Sequence, residues 1–223
     1  MNSQSILLDE SDAAALLGRF FNLTHLKQIV EQGRESVKPR VAQRTISEAG
    51  LLAIAAYTSA GLDRMIHEAH SPMGGPRDRR DPVKALESLI LETLPTIALT
   101  KASVVKRNLT LDPSLVRSLY RPGALISFDR ITSVTLQPHQ VYRGGNVDLT
   151  IKPEFGVIDV SALSTFSGKT ARGEKEGMLE PGKMYKVIDM QSGREDSPLN
   201  PQPGGAPLHS EYWRIVLQQR QSS

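Results

Sequence analysis

Two glutamates stand two positions apart at residues 174 and 176, shortly before a Pro-Gly turn at Pro181-Gly182. In an extended chain residues i and i+2 lie on one face, so Glu174 and Glu176 point the same way at the mouth of a predicted strand. Paired carboxylates suit sugar chemistry, because one can stabilise an oxocarbenium-like cation on a ribose while the other orients the incoming nucleophile. Most Glu-x-Glu triplets are solvated strand ends, so the remaining chain has to support this interpretation.

The elements that precede these carboxylates are predicted to be helical. Acidic residues at 9–12 precede a helix over 13–21, and Asn22 caps a second that ends at Gly33. A capping box at residues 45–48 opens a longer helix that is predicted to continue through Gly61 to Ile66. Pro82 is placed at the start of another helix, which ends before Pro95. The segment from 96 to 111 is ambiguous.

Beyond Asp112-Pro113-Ser114 the composition shifts from helix formers to Val, Ile, Thr and Gly. Strands are predicted at 118–121, 147–152, 184–189 and 211–217, and 190–208 is predicted to be a long exposed loop. Together with the helices before it, this half predicts an α+β protein. We expect a helical segment with a basic linker over 1–44 and a main domain over 45–223, with helices at 45–111 and a β-rich part at 115–217.

Composition narrows the classes of function. With 223 residues and 39% hydrophobic content the chain can form an enzyme-sized core, and its lack of cysteine excludes disulfides, thiol nucleophiles and thiolate metal sites. The net charge of +3 favours anionic ligands, but the basic residues are scattered and aromatic residues are few, so no nucleic-acid partner is expected. Neither a membrane span nor a cleavable signal peptide is expected from the apolar pattern.

Three stretches, in the right order, resemble the motifs of arginine-directed mono-ADP-ribosyltransferases of the R-S-E class. Tyr120-Arg121-Pro122-Gly123 resembles the first motif, an arginine that closes an aromatic-containing strand and is usually followed by Gly. Phe128 to Thr135 resembles the second, an aromatic residue followed by Ser-Thr-Ser, with Thr132-Ser133 aligned. Residues 174–187 resemble the third, Glu-x-Glu followed by apolar residues, a Pro-Gly turn, an aromatic residue and Lys-Val. The resemblance covers roughly residues 45 to 217.

The sequence departs from the family pattern at four points. Pro122 follows the motif arginine, Val134 replaces a hydroxyl residue, Gly177 replaces an aliphatic one, and the interval from Arg121 to Ser133 is short, as a trimmed loop would make it. A competing assignment takes Arg143 as the motif arginine. No aromatic-Ser-Thr-Ser strand then fits before Glu174, so Arg121 is preferred and Arg143 is placed in a loop over the dinucleotide phosphates.

The resemblance implies an ADP-ribosyltransferase-like pair of packed, mostly antiparallel sheets that holds NAD, with no metal. In such enzymes Glu176 would bind the ribose 2-hydroxyl and stabilise the cation, and Glu174 would deprotonate the target arginine. Arg121 would anchor the dinucleotide, and Ser133 with Thr132 would brace the strand and hold Glu176.

The resemblance also implies a monomeric bacterial toxin or effector. It would be made in a bacterial cytoplasm, delivered without a cleaved signal peptide, and would act on a protein of a host or rival cell. The loop from Phe166 to Gly173 would present that target. Two alternatives stay open: a catalytically silent binding module, and an NAD glycohydrolase that uses water as the acceptor.

Two further patterns resemble ligand sites but lack residues that such sites require. Residues 71–82 form a Pro/Gly/Arg/Asp segment around Arg79-Arg80, but a phosphate-binding loop would need a preceding strand and a Lys-Ser/Thr ending. His67 and His70 have the spacing of a helical metal pair. They lack an evident third ligand, so a solvated helix end is the preferred interpretation.

Overall fold

The computed structural model describes residues 8–59, 61–71, 77–137, 145–164, 175–193, 209 and 211–220. It divides into two units, which are described separately. The helical unit comprises Met1–Leu99 and Ile158–Gly173, and the sheet unit comprises Thr100–Val157 and Glu174–Ser223. The predicted domain starting at residue 45 stays a prediction.

Five α-helices are described in the helical unit, and their bounds are α1 (Glu10–Phe20), α2 (Leu23–Gly33), α3 (Glu48–Ser59), α4 (Leu62–His70) and α5 (Arg77–Thr93). Capping side chains fix the first two starts, because Asp9 accepts a hydrogen bond from the Asp12 N–H and Asn22 accepts one from the His25 N–H. The Asn22 cap is confirmed. Helix α3 packs against α1, α2, α4 and α5, and most of its residues are buried.

Two helix predictions are wrong. The single helix through Gly61 is two helices, since Gly61 has a φ of +87°, a left-handed conformation that glycine adopts without steric cost and that ends α-helical geometry. Helix α5 begins at Arg77, so Pro82 lies inside it and not at its start, and residues 77–82 are helical where a loop was predicted. A proline this early removes one intrahelical hydrogen bond, and the rest of the 17-residue helix still packs.

The α3–α5 contact depends on a small residue. A Cβ at Gly50 would lie 2.0 Å from the Thr93 Oγ1, so the two helices are too close for any larger side chain there. Nearby, His70 is not the solvated helix end that the sequence suggested. Its Nε2 lies 2.5 Å from Oε2 of the buried Glu87, which pairs α4 with α5.

Nine strands are described, with bounds β1 (Leu99–Thr100), β2 (Val105–Leu109), β3 (Leu125–Ser127), β4 (Ser133–Thr135), β5 (Val147–Lys152), β6 (Val157–Asp159), β7 (Glu176–Met178), β8 (Met184–Gly193) and β9 (Tyr212–Gln219). Seven form one continuous sheet in the sheet unit, in the order β7-β4-β2-β5-β9-β8-β3. The β5–β9 pair is parallel, and the other described pairs in this unit are antiparallel. The predicted mostly antiparallel α+β fold class is confirmed.

One face of this sheet forms the core of the unit. Alternate residues of β5 and β9 are buried in register, with Leu149 opposite Ile215 and Ile151 opposite Leu217. Helix α6 (Pro113–Leu119) supplies Val116 to the same cluster, and Tyr120 follows it. This period-2 burial explains why the strands at 147–152, 184–189 and 211–217 could be predicted and are confirmed.

Two predictions in the sheet unit are wrong. Residues 118–120 are not a strand, because Asp112 caps the N-terminus of α6 and Pro113 fits its first turn, and the helix continues to Leu119. Strand β8 extends to Gly193, so residues 190–193 are not part of a loop. Among the described helices none is long and apolar enough to cross a membrane, and the described residues contain no cluster of metal-ligating side chains.

Candidate active site

Strands β7, β4 and β2 are neighbours at one end of the sheet, and each carries a polar side chain of interest. Glu176 is the first residue of β7 and lies directly opposite Thr135 of β4. Ser133 is two residues from Thr135 and therefore on the same face, diagonal to Glu176. Both Glu176 and Ser133 are half-buried. The structure thus brings together two of the predicted site residues.

Strand β2 adds an arginine that the sequence analysis left in an ambiguous segment. The Arg107 Nη1 donates a hydrogen bond to the Ser133 carbonyl oxygen at 2.8 Å and lies 3.5 Å from the Ser133 Oγ. Arg107 is half-buried in the middle of β2. Its guanidinium is therefore fixed beside the Ser133 backbone by the pairing of β2 with β4.

The charge of Arg107 is not neutralised by its described partners. Burial raises the pKa of the neighbouring Tyr120 phenol, and the positive charge of Arg107 opposes part of that rise. The Tyr120 phenol therefore stays neutral at physiological pH. Within the described residues, the hydrogen-bond acceptors of Arg107 are neutral oxygens of Ser133. A half-buried cation with neutral partners is well suited to receive an anionic ligand.

The preceding residue, Lys106, is arranged differently. It lies opposite Thr135 in register, on the face of Glu176. Arg107 starts from the other face, but its guanidinium reaches the Ser133 backbone and comes within 3.5 Å of the Ser133 Oγ. The Lys106 Nζ is 3.1 Å from Asp148 Oδ2, in a pair whose side chains are 18% and 26% exposed. Lys106 already has a carboxylate partner, so Arg107 is the better candidate for an anchor on this strand.

The other predicted site residues are distributed as follows. Arg121 is exposed after α6, not at the end of a strand, and its Nε donates to the Arg117 carbonyl at 3.1 Å. Thr132 is buried, and its carbonyl accepts the Leu179 N–H at 3.0 Å, which ties the start of β4 to the end of β7. Glu174, Arg143 and the loop from Phe166 to Gly173 lie outside the described residues.

Two departures from the family pattern face each other. Val134 and Gly177 are direct partners in the β4–β7 register, and both are buried. A larger residue at 134 therefore meets the smallest residue at 177. The strand pairing that positions Ser133 and Glu176 is kept despite both changes.

The sequence did not identify Arg107 because its neighbours differ from those of the motif arginine. It stands in Val105-Lys106-Arg107-Asn108-Leu109, without the aromatic residue or the following Gly, whereas Tyr120-Arg121-Pro122-Gly123 has both an aromatic residue and a nearby Gly. The number of residues between the arginine and Ser133 could have identified Arg107. Arg121 lies 12 positions before Ser133, which is short for the family, whereas Arg107 lies 26 positions before it.

No protein-family model and no curated protein matches the chain. Several solved structures share its fold. The type III effector XopAI from Xanthomonas axonopodis pv. citri has a TM-score of 0.66 at 12% identity, over 98% of this chain and 87% of that one. The Vis toxin, an ADP-ribosyltransferase from Vibrio splendidus, has a TM-score of 0.56 at 12% identity, over 91% and 88% of the two chains.

A second structure of Vis, in complex with agmatine, gives a TM-score of 0.57 at 11% identity, over 91% of this chain and 87% of that one. At such low identities the likeness concerns the path of the backbone and not the side chains. The chain therefore has the α+β fold found in ADP-ribosyltransferase toxins.

Proposed function

We propose that this protein is a mono-ADP-ribosyltransferase that moves ADP-ribose from NAD to an arginine side chain of a target protein. The observation that carries the proposal is the placement of Arg107, Ser133 and Glu176 on three adjacent strands. Those strands belong to a fold shared with the ADP-ribosyltransferase Vis. An arginine, a serine and a glutamate are the three residue types that the resemblance to the R-S-E class requires.

The chemistry is a substitution at the anomeric carbon of the nicotinamide-bearing ribose. The bond from that carbon to the nicotinamide nitrogen breaks, nicotinamide leaves with the electron pair, and the ribose ring becomes positively charged. A nitrogen of the acceptor guanidine then forms the new bond to the same carbon and loses a proton. A carboxylate fixed nearby stabilises this transition state more than the uncleaved ground state. We assign this role to Glu176, which the β4–β7 register holds in a defined position.

Arg107 takes the role that the sequence analysis gave to Arg121. A guanidinium presents a planar fork of donors that matches the oxygens of a phosphate group, and its charge is permanent. Arg107 is held at 2.8 Å from the Ser133 carbonyl, so little freedom is lost when it binds the dinucleotide. Arg121 is exposed and follows a helix, which makes it a poorer anchor.

Two observations support arginine as the acceptor. Glu174 precedes Glu176 by two positions, where a second carboxylate can take a proton from the attacking guanidinium. That proton must leave, because a protonated guanidinium is a poor nucleophile. In addition, the related fold of Vis is known with agmatine, a small guanidinium compound.

The proposed setting is a cell other than the one that makes the protein. XopAI, which shares the fold, is a type III effector, and Vis is a toxin. We propose that this chain likewise acts as an effector or toxin on a protein of a host or rival cell, as a monomer.

The test follows two products of one reaction. The protein is incubated with NAD labelled in its adenosine part, with agmatine or an arginine-containing protein as acceptor, and both free nicotinamide and transferred label are measured. Glu176→Gln should reduce both by about a hundredfold or more, because an electrostatic contact made in the transition state is lost. Glu154→Gln is the matched control, since Glu154 is an exposed carboxylate of the same unit.

Each other outcome points to a different function. Nicotinamide release without label transfer would identify an NAD glycohydrolase, and NAD binding without release would identify a silent binding module. If Glu176→Gln and Glu154→Gln reduced nicotinamide release and label transfer equally and only mildly, the role of Glu176 would be contradicted.

A further inference from the structure

The helical unit contains a pocket of about 360 Å³ that the proposed reaction does not use. Three helices line it: α1 near its end, α4 along one face, and α5 in its first turns. Ala69 and Val83 form a small, buried, apolar floor. The volume is at the lower end of the range for small-molecule sites, about 300 to 1,000 Å³.

The lining is strongly basic. Among the described lining residues there are four arginines, at positions 19, 64, 79 and 80, and one glutamate, Glu68, which gives these side chains a formal charge of +3. The whole chain also has a net charge of +3. The described lining therefore carries a formal charge equal to that of the whole chain.

Helix stability accounts for Arg19, which lies in the last turn of α1, but not for the arginines of α5. Arg79 and Arg80 lie in the first turns of α5, where the helix dipole disfavours positive charge. Arg64 pairs with Glu68 four residues on, but the pair measures 3.9 Å, its side chains are 80% and 64% exposed, and arginine precedes glutamate, the weaker order. Such a pair is worth under about 1 kcal/mol, so an anion can displace it.

An aromatic ring borders the same space. Phe20 is half-buried in the lining, and the Arg19 guanidinium lies over its ring at 5.9 Å from the centroid. Met65 adds an apolar, adaptable side chain beside it. The pocket thus offers guanidinium donors together with an apolar surface for the ring of a ligand.

We propose that this pocket binds a small ligand that carries two or more phosphate groups. A single phosphate brings a charge of about −2 at most, whereas two linked or neighbouring phosphates match the +3 lining and reach donors on more than one helix. The ring that bears them would lie against Phe20. The ligand is either a free metabolite or the headgroup of a phosphorylated lipid, and both have this chemistry.

The test uses inorganic pyrophosphate as the probe and inorganic phosphate as the single-phosphate comparison. Calorimetric titration of the whole protein should show pyrophosphate binding that weakens with added salt, and phosphate binding at least tenfold weaker. Arg19→Ala and Arg79→Ala should each weaken pyrophosphate binding by about tenfold. These two arginines are chosen because both are exposed and belong to different helices.

Matched controls separate this pocket from the proposed active site. Arg44→Ala and Arg214→Ala remove exposed arginines elsewhere and should leave pyrophosphate affinity unchanged. Arg107→Ala should abolish only the pyrophosphate binding at the proposed active site, so the pyrophosphate binding that depends on Arg19 and Arg79 should remain in this variant. The two pocket variants should retain wild-type nicotinamide release at saturating NAD.

A second arm identifies the source of the phosphates. Vesicles of phosphatidylcholine with phosphatidylinositol 4,5-bisphosphate are compared with soluble inositol 1,4,5-trisphosphate. Vesicle binding that is lost in the Arg19→Ala/Arg79→Ala double variant indicates a lipid headgroup, and binding of the soluble probe alone indicates a metabolite. Absence of pyrophosphate binding, affinity unchanged in the double variant, or tighter binding of a duplex oligonucleotide would overturn the proposal.

Discussion

The two units hold guanidinium groups in opposite ways. In the sheet unit, Arg107 is half-buried, and its Nη1 is 2.8 Å from a backbone oxygen of the adjacent strand. In the helical unit, Arg64 has a side chain that is 80% exposed, and its carboxylate partner is 3.9 Å away. One arginine is fixed by the sheet, whereas the other belongs to a group of four, of which Arg19, Arg64 and Arg79 are exposed to solvent.

A fixed guanidinium and a group of exposed ones should bind anions in different ways. A fixed donor positions a ligand with little loss of entropy, so one substitution should have a large effect that depends on the shape of the guanidinium. A solvated group of like charges attracts anions collectively. Each single substitution in it should therefore weaken anion binding only moderately, and added salt should weaken anion binding too. The following predictions test this contrast, beginning with the largest expected effect.

Removal of the fixed arginine should weaken NAD binding most. Arg107→Ala is expected to raise the Kd for NAD about thirtyfold or more, which corresponds to the ~2 kcal/mol of a charge-assisted contact. Arg121→Ala should change the Kd less than about twofold, because Arg121 is exposed and its described contact is within its own helix end. Equilibrium titration with NAD, using the catalytically weakened Glu176→Gln background, measures both.

Lys106→Ala is the neighbouring control, since Lys106 shares the strand but pairs with Asp148. Should Lys106→Ala prove the worse binder of NAD, the face of Glu176 and Thr135 holds the phosphates and the assignment of Arg107 is wrong. Should Arg121→Ala prove worse, the original motif assignment stands.

The comparison also shows which parts of the molecule could be predicted from sequence. Strands with alternating burial, such as β5, were recognised because their apolar residues repeat with period 2. Strand β2 was not, because Val105-Lys106-Arg107-Asn108-Leu109 places an arginine between Val105 and Leu109 in the apolar row. This arginine breaks the period-2 pattern that would have revealed the strand.

The prediction of helix ends failed for a different reason. Asn22 was identified as a cap because its side chain acts within three residues, at His25. Gly61 and Pro82 were misplaced because their effects depend on packing around them: Gly61 adopts a left-handed φ between two packed helices, and Pro82 is tolerated inside α5. The arginine pocket joins α1 to α4 and α5, which lie far from α1 in sequence, so no local pattern could predict it.

Lysine substitutions distinguish shape from charge. Arg107→Lys keeps the charge but loses the planar fork, so NAD affinity should fall about tenfold. Arg79→Lys in the pocket should weaken pyrophosphate binding by only about threefold, because charge dominates there. The two titrations are run side by side at low and at physiological salt. If both lysine variants lost affinity by the same factor, the distinction between a fixed donor and a group of exposed charges that attract anions together would be wrong.

The smallest expected effect concerns stability. Arg107→Ala removes a half-buried hydrogen bond between strands β2 and β4, and should lower the free energy of unfolding by about 1 kcal/mol. In a chain of this size that corresponds to a fall in Tm of roughly 2–4 °C. Arg79→Ala should instead leave the Tm unchanged or raise it slightly at low salt, since Arg79 lies in the first turns of α5 and its removal relieves repulsion among the pocket arginines.

Thermal melting followed by circular dichroism, at low and at high salt, measures these shifts. High salt should abolish any gain in Arg79→Ala, because it screens exposed charges, but should leave the loss in Arg107→Ala, which comes from a half-buried contact. If Arg79→Ala lowered the Tm as much as Arg107→Ala, Arg79 would hold α5 in place. The pocket arginines would then stabilise the fold, and the contrast between the two units would not hold.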